Sequence, residues 1–230
     1  VTVVGNRYIK CLEKDVHGNT WIGTSNRLFR LIGTDTLDTF STLNITCLGI
    51  DNHNVKWFGS INDYSSTGAM RNIDSADTQV TYNNTVNSAT EYPWFHSMFL
   101  ESSGVNWFGS ENGLVRVDGN GQFISVSNSA LGRGFVTKFF IDKNDSKWFY
   151  AWGSIPLTGT ILPPGYLTSL ASDTWTAYTL ANSPIDVGGV AAISDFDGTD
   201  MFVAKYDIMG NTELYKFSSG LWTQLTVPQT

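Results

Sequence analysis

Five acidic residues recur in this sequence at a fixed distance from a large apolar residue, and carboxylates are the groups that metal ions and general acid–base catalysis require. Each acid stands six residues before a tryptophan or, in the last copy, a methionine. The acids are Asp15, Asp51, Glu101, Asp142 and Asp195. An acid that opens a tight turn accepts hydrogen bonds from the backbone N–H groups after it, and a repeat needs one such residue per copy. Acids spread one per repeat could not share an ion, so we interpret them as turn residues and expect neither a metal site nor a catalytic carboxylate among them.

The acids belong to a longer cassette, which is clearest in the segment ESSGVNWFGSENGLVRVD at residues 101–118. It predicts a short strand, a tight turn, a second strand, another turn and a third strand. Each copy is centred on one large residue and carries a turn former three residues earlier. The central residues are Trp21, Trp57, Trp107, Trp148 and Met201, and the turn formers are Gly18, Asn54, Gly104, Asp145 and Gly198. The copies are about 36 to 53 residues apart, which is typical of propeller blades built from four short strands.

The repeat therefore predicts an all-β fold, a β-propeller of five four-stranded antiparallel blades around a central channel. The predicted blades cover approximately residues 5–43, 44–84, 94–128, 135–181 and 188–227, and we expect one domain over residues 1–230. A chain that is 41% hydrophobic and 13% aromatic, with 22 glycines, has the composition of a turn-rich β-protein with a packed core. The alternative is that these blades are an excerpt of a larger ring of six to eight.

The repeated tryptophans have two interpretations. They could form a series of sugar-stacking platforms, but a position in the middle of an apolar second strand favours packing between blades. The glycine two residues later, at Gly23, Gly59 and Gly109, is expected to let a neighbouring group approach closely. Tyr150 and Val203 take that place in the last two copies, so we expect those blades to pack differently.

The two cysteines, Cys11 and Cys47, each lie ten residues before their tryptophan and so occupy equivalent places in neighbouring blades. Equivalent places on adjacent blades are expected to be farther apart than the roughly 4.4 to 6.8 Å Cα separation of a disulfide. We therefore predict two free, buried thiols, with a redox pair as the alternative.

Charge and hydropathy exclude several classes of partner. The net charge is −7, and no cluster of lysine and arginine is present, which argues against binding to nucleic acid or to an anionic membrane surface. No apolar run approaches the ~18 residues of a membrane-spanning helix, so no direct membrane insertion is expected. A start at Val1, without a signal-like segment, fits a processed secreted protein or a domain cut from a longer chain.

The unequal spacing of the copies predicts where binding occurs. Turns between the first and second strands, and between the third and fourth, open on one face of a propeller and are short throughout. The insertions fall in the other connections, at residues 60–68, 83–96, 153–165 and 181–189. Length variation on a rigid scaffold marks loops that carry function, and aromatic residues are typical of contact hot spots. The predicted binding residues on these loops and their borders are Tyr64, Tyr92, Trp94, His96, Tyr150, Trp152 and Tyr166. The alternative is that these residues cap the channel and pack on one another.

The cassette Asp-x-x-Gly-x-x-Trp-(Ile/Phe)-Gly-(Thr/Ser), followed by Gly-Leu-x-Arg at residues 113–116, resembles the two-component-regulator propeller repeat. The linkers NSALGRGFV and ANSPIDVGG resemble that family too. The resemblance implies a bacterial propeller that is extracellular, on the cell surface or periplasmic. In that family the repeats form the carbohydrate-sensing part of hybrid sensor proteins, and they also occur in free secreted proteins. This chain carries fewer repeats than such sensors, with no kinase or regulator region.

Three functions follow. The first is a non-catalytic module that binds a protein or a glycan through its long-loop face, without a cofactor. The second is a lyase or hydrolase resembling streptogramin lyase, for which Glu91 and His96 are the one candidate pair. Loss of lyase activity in Glu91→Gln and His96→Ala variants would support this function. The third is a structural module that contacts other domains or subunits of a surface or particle assembly, which sizing and cross-linking in solution would reveal.

Overall fold

In the computed structural model the chain folds into five antiparallel sheets, each with four strands in chain order. The structure describes residues 8–34, 36–62, 67–82, 94–110, 113–118, 122–126, 134–142, 144–153, 166–178, 182–184, 189–195, 200–206 and 211–226. Within these ranges every regular element is a strand. The predicted all-β architecture of five four-stranded blades is therefore confirmed, and each sheet is called a blade below.

The first compact unit, Val1–Val126, contains blades 1 to 3. Blade 1 comprises β1 (Ile9–Lys14), β2 (Thr20–Thr24), β3 (Leu28–Ile32) and β4 (Thr36–Ser41). Blade 2 comprises β5 (Asn44–Ile50), β6 (Lys56–Asn62), β7 (Thr67–Ile73) and β8 (Gln79–Tyr82). Blade 3 comprises β9 (Phe95–Leu100), β10 (Asn106–Ser110), β11 (Gly113–Val117) and β12 (Phe123–Val126).

The second compact unit, Ser127–Thr230, contains blades 4 and 5. Blade 4 comprises β13 (Gly134–Ile141), β14 (Lys147–Gly153), β15 (Tyr166–Ala171) and β16 (Thr174–Tyr178). Blade 5 comprises β17 (Val190–Asp195), β18 (Met201–Tyr206), β19 (Thr212–Ser218) and β20 (Leu221–Leu225).

The turn between β1 and β2 explains the repeated acid. One oxygen of Asp15, Oδ1, accepts hydrogen bonds from the backbone N–H groups of His17 and Asn19 at 3.0 and 2.9 Å. The other oxygen, Oδ2, accepts a hydrogen bond from the indole Nε1–H of Trp21 at 3.0 Å. The predicted turn role is confirmed, and the carboxylate also joins the turn to the buried tryptophan. We call this second contact the acid–indole bond.

The acid–indole bond recurs in blades 2, 3 and 4. It joins Asp51 to Trp57 at 2.9 Å and Asp142 to Trp148 at 3.0 Å, and Glu101 accepts from Trp107 in the same way. The third residue after the acid has a left-handed backbone in each of blades 1 to 4, a conformation that only glycine, asparagine and aspartate adopt readily. Those residues are Gly18, Asn54, Gly104 and Asp145, with φ of 83°, 61°, 86° and 60°.

Trp21 and Trp57 pack between blades, as predicted. Trp21 is fully buried in a cluster with Ile45 and Phe58 of blade 2. The ring of Trp57 lies 5.6 Å from the ring of Phe108 in blade 3. These contacts make both indoles part of the seam between their own blade and the next.

Two of the glycines beside these tryptophans are required by close approach. A Cβ atom at Gly23 would lie 2.8 Å from the side chain of Ile45 in the next blade, and one at Gly59 would lie 2.9 Å from Cβ of Phe95. The expectation is thus confirmed at both positions. In blade 4 Tyr150 takes this place and is buried in the cluster that joins blades 4 and 5.

The insertion in blade 2 differs from the expected loop over residues 60–68. Cross-strand pairing continues from Ser60 with Ala69 to Asn62 with Thr67, so most of the insertion lengthens the β6–β7 hairpin. The guanidinium of Arg71 also donates to the Ser60 hydroxyl. Only residues 63–66 of this segment lie outside the described part of the chain.

Both cysteines are free, as predicted, but their burial differs. Cys47 is buried, whereas Cys11 is only half-buried. Burial raises the pKa of Cys47 to about 12 and that of Cys11 to about 11. Both groups are therefore protonated thiols at neutral pH.

The acid–indole bond predicts the effect of an Asp15→Asn substitution. Burial alone would raise the pKa of Asp15, but hydrogen bonds from Trp21, Asn19 and His17 together lower it. A lowered folded-state pKa stabilises the protein above the ordinary carboxyl range, and this stabilisation is lost as the pH falls through the lowered value. We expect Asp15→Asn to reduce the free energy of unfolding by about 1–3 kcal/mol at neutral pH, with the difference shrinking in acid. Urea unfolding at several pH values measures this.

The matched control for that experiment is Asp118→Asn. Asp118 accepts a hydrogen bond from the backbone N–H of Gln122, the fourth residue after it, at 3.0 Å, as Asp15 does from Asn19, but Ile124 stands where a tryptophan would follow. Asparagine can keep the turn bond, so this variant is expected to unfold at nearly the wild-type urea concentration. Equal losses in the two variants would contradict a special contribution from the indole.

The raised pKa values predict slow reaction of both thiols. At pH 8 the thiolate fraction is small, because the pKa of each group lies well above that pH. A disulfide-forming thiol reagent is expected to label the half-buried Cys11 before Cys47, and to take two equivalents only after unfolding. The absence of any labelling after denaturation without reductant would refute the assignment of two free thiols.

Candidate functional site

Each blade has two different ends. We call the end with the first-to-second and third-to-fourth connections the turn end, and the opposite end the loop end. Turn-end connections include residues 15–19, 74–78 and 172–173, whereas the loop end carries residues 63–66, 83–94, 154–165 and 179–189 between its strands. The length variation therefore falls at the loop end, where the sequence places it.

The turn end is closed by local hydrogen bonds. Asp74 Oδ1 accepts from the backbone N–H groups of Ala76 and Thr78 at 2.9 and 2.8 Å. Two-residue hairpin turns with left-handed backbone join β15 to β16 and β19 to β20. Turns of this kind leave little room for insertions, because their bonds fix the register of the flanking strands.

Two predicted binding residues, Trp94 and His96, lie at the start of β9 at the loop end, and both are half-buried. Tyr64 and Tyr92 lie outside the described residues, as does Glu91. Trp152 and Tyr166 belong to β14 and β15, next to the connection at residues 154–165. The described members of the predicted set thus belong to blades 3 and 4.

Tyr150 occupies a different environment from the other predicted residues. It is 1% exposed, in the cluster that includes Leu167, Val190 and Val203. Burial raises the pKa of its hydroxyl, although a hydrogen bond with the Val190 backbone lowers it in part. This position agrees with the alternative of internal packing rather than with a contact role for Tyr150.

His96 is placed by a structural device that recurs in every blade. The first strand of each blade carries a β-bulge near the loop end. In β9 the extra, unpaired residue is His96, because Phe95 pairs with Ser110 and Ser97 pairs with Gly109. The corresponding extra residues are Lys10, Thr46, Thr137 and Ala191. Bulges redirect a side chain out of the regular pleat, so this position can vary without disturbing the sheet.

The structure adds two exposed aromatic residues that the sequence analysis missed. Tyr8 precedes β1 and is 81% exposed, and Tyr206 ends β18 and is 47% exposed. Each lies at the loop end of its own blade, where Tyr8 O accepts from Ser25 N–H and Tyr206 N–H donates to Gly189 O. Neither residue lies in an insertion, so the unequal spacing of the copies does not point to them.

A cleft opens between blades 4 and 5 at their turn end. Its volume is about 340 Å³. Its lining includes the acids Asp142 and Asp200 and the rings of Trp148, Tyr178 and Phe217, together with the hydroxyl groups of Ser169 and Thr176. Burial raises the pKa of Tyr178, whose hydroxyl is hydrogen-bonded with Ser169, and the nearby charge of Asp142 adds to the rise. Sequence spacing could not reveal this cleft, because it depends on which residues face each other across two blades.

The described residues contain no cluster of three or more metal-ligating side chains. They also contain no helix long and apolar enough to cross a bilayer.

Comparison with known proteins identifies the fold. No family model matches the sequence, and no curated protein matches it either. Among solved structures, a catalytically inactive virginiamycin B lyase from Staphylococcus aureus, bound to quinupristin, superposes with a TM-score of 0.70 at 13% identity. The alignment covers 100% of this chain and 73% of the lyase.

Two other similar structures come from larger bacterial proteins. The extracellular domain of a putative hybrid two-component system from Bacteroides thetaiotaomicron gives a TM-score of 0.68 at 15% identity, over 95% of this chain and 30% of that domain. PorZ, a surface component of the type-IX secretion system of Porphyromonas gingivalis, gives 0.59 at 15% identity, over 94% of this chain and 31% of PorZ. The chain thus spans about a third of the length of these two proteins. At these identities the similarity establishes the β-propeller fold.

The environment of His96 predicts its titration. Burial lowers the pKa of this imidazole below the ordinary histidine value, so the folded protein disfavours its protonation. The free energy of unfolding should therefore decrease as the pH falls from the ordinary value through the lowered one. A His96→Gln variant should lose this part of the pH dependence. Proton NMR of the His96 ring measures the midpoint, and a value at or above about 6.5 would contradict the assignment.

Proposed function

We propose that this chain is a non-catalytic binding module, extracellular or on a cell surface, that recognises a protein or a glycan through the loop end of its blades. The observation that carries the proposal is the contrast between the two ends. Hydrogen-bonded turns close one end in a repeated pattern, whereas the connections at the other end vary in length. Variable loops on a rigid sheet are the usual position of a recognition surface.

The aromatic residues at the loop end support this surface. Tyr8 and Tyr206 are exposed, and Trp94 is half-buried at the start of β9. Aromatic side chains supply large contact areas at low conformational cost, and their faces stack on sugar rings and on apolar protein groups. The net charge of −7 favours neutral or basic partners over nucleic acid.

The comparisons support the proposed location. Two of the similar structures are an extracellular domain and a bacterial surface component. We infer the same extracellular or cell-surface location for this chain. A role as one part of a larger surface assembly remains compatible with the proposal, because such a part also binds its neighbours through a variable surface.

A lyase is the second candidate, and the observation that favours it is the environment of His96. The virginiamycin B lyase shares the fold with this chain, and a half-buried imidazole with a lowered pKa can act as a general base. Glu91 would be its partner in the sequence.

The binding proposal predicts different effects at the two ends. We expect Trp94→Ala and Tyr206→Ala to weaken binding, because each removes an aromatic contact at the loop end. Val16→Ala is the matched control, since Val16 is 72% exposed in the β1–β2 turn at the turn end. A glycan array and cross-linking to an extracellular protein fraction, with mass-spectrometric mapping of the cross-linked residues, measure binding for all three variants.

Circular dichroism checks that the variants keep their β-sheet spectrum. The proposal holds if a bound glycan or a cross-linked protein is lost with the loop-end variants and retained with Val16→Ala. It fails if no glycan binds and the cross-links fall on turn-end residues, or if all three variants bind as the wild type does.

A further inference from the structure

The residue across the sheet from each repeated tryptophan is variable. On the third strand of each blade, Trp21 pairs with Arg30 and Trp57 with Asn72. Trp107 pairs with Arg116 and Trp148 with Ser169. This side chain lies on the same sheet face as the indole, so its identity decides what covers the aromatic ring.

In blade 1 two cations cover that ring. The guanidinium carbon of Arg30 lies 5.5 Å from the centre of the Trp21 ring and 4.8 Å from the centre of the Phe40 ring. Arg30 forms ion pairs with Asp38 at 2.9 Å and with Asp77 of blade 2 at 2.8 Å. The ammonium of Lys56, also from blade 2, lies 5.3 Å from the centre of the Trp21 ring. The seam between blades 1 and 2 is thus a cation–π site filled by the protein itself.

Blade 4 has the same aromatic pair, but neither matching position holds a cation. Tyr178 takes the place of Phe40 on the fourth strand, with its ring 5.1 Å from Trp148 and nearly parallel to it at 27°. The corresponding distance between Trp21 and Phe40 is 4.7 Å. Ser169 stands where blade 1 has Arg30, and Asp200 precedes Met201 just as Lys56 precedes Trp57. The substitution of a small hydroxyl and an acid for two long cations accounts for the cleft of about 340 Å³.

The described lining of this cleft favours positive charge. It contains two acids, Asp142 and Asp200, and no basic residue. Asp142 accepts a hydrogen bond from the indole N–H of Trp148. The Asp200 side chain forms an ion pair with Lys216, which is 35% exposed. The volume lies at the small end of the range for ligand pockets, which suits one cationic group with its methylene stem.

We propose that the cleft between blades 4 and 5 binds an organic cation, a guanidinium or alkylammonium group, over the Tyr178 ring and beside Asp200. Such a group would repeat in trans the contacts that Arg30 and Lys56 make within the chain. The site lies at the turn end, so it is separate from the loop-end surface proposed above and differs from it in ligand class. The source of the cation is a basic side chain of a partner protein or a small free amine.

The direct test uses a charged probe and its neutral isostere. N-acetyl-arginine methylamide and N-acetyl-citrulline methylamide have nearly the same shape, but only the first carries a guanidinium. Titration of the full chain is followed by the assigned indole Nε1–H resonance of Trp148. We expect saturable shifts with the arginine probe and affinity weaker by about tenfold or more for citrulline.

Ser169→Arg is the decisive variant, because it rebuilds in blade 4 the arrangement of blade 1. The new guanidinium should occupy the cleft and abolish binding of the arginine probe without loss of the folded spectrum. Gln122→Arg is the matched control, since it adds the same charge at an exposed position that does not line the cleft. Asp200→Asn should weaken binding while leaving the cleft open, which keeps the test informative if Ser169→Arg does not fold.

The source of the cation is distinguished by comparing agmatine with an arginine-containing peptide. Tighter binding of the peptide assigns the site to a protein partner, and equal binding assigns it to a small amine. The proposal is overturned if the citrulline probe binds as well as the arginine probe, if folded Ser169→Arg binds as the wild type does, or if no saturable shift occurs. Because loop-end variants such as Trp94→Ala leave this cleft unchanged, failure here is separate from failure of the proposed loop-end surface.

Discussion

The hydrogen bond between a turn acid and the indole six residues later is the contact on which the repeat depends. In blades 1 to 4 one carboxylate binds the indole, and in blades 1, 2 and 4 its other oxygen binds backbone N–H groups of the turn. A buried indole N–H without an acceptor would be costly, and a turn without its acid would lose its closing bonds. The same side chain meets both needs, so the turn and the second strand are fixed together.

This constraint leaves two kinds of position free to vary. The loop end can change in length, because its connections are not part of the acid–indole arrangement. The residue opposite each tryptophan can change in size and charge, as Arg30, Asn72 and Ser169 do, because the indole is held from the turn instead. Both proposals of function concern these free positions, one at each end of the blades.

Much of the fold could be predicted from the sequence because the spacing of acid, turn residue and tryptophan is periodic. The spacing does not predict the acid–indole bond, since turn formation accounts for the acid and core packing accounts for the tryptophan without it. The sequence predicts a loop for the insertion of blade 2, because extension of the hairpin past Ser60 depends on pairing with residues across the turn. The burial of Tyr150 and the cleft beside Tyr178 depend on packing between blades, which one strand's pattern does not encode. Within the candidate site, loop length predicts the loop-end positions of Trp94 and His96. It does not predict those of Tyr8 and Tyr206, which lie outside the insertions.

Hydrogen exchange of the indole N–H groups tests the central claim most directly, because it reports the acid–indole bond in each blade separately. The structure predicts slow exchange at neutral pH for the indole protons of Trp21, Trp57, Trp107 and Trp148, since each is donated to a carboxylate. Heteronuclear NMR after transfer into D₂O resolves the individual signals. Exchange of these four protons at the rate of an exposed indole would contradict the account of how the repeat is held together.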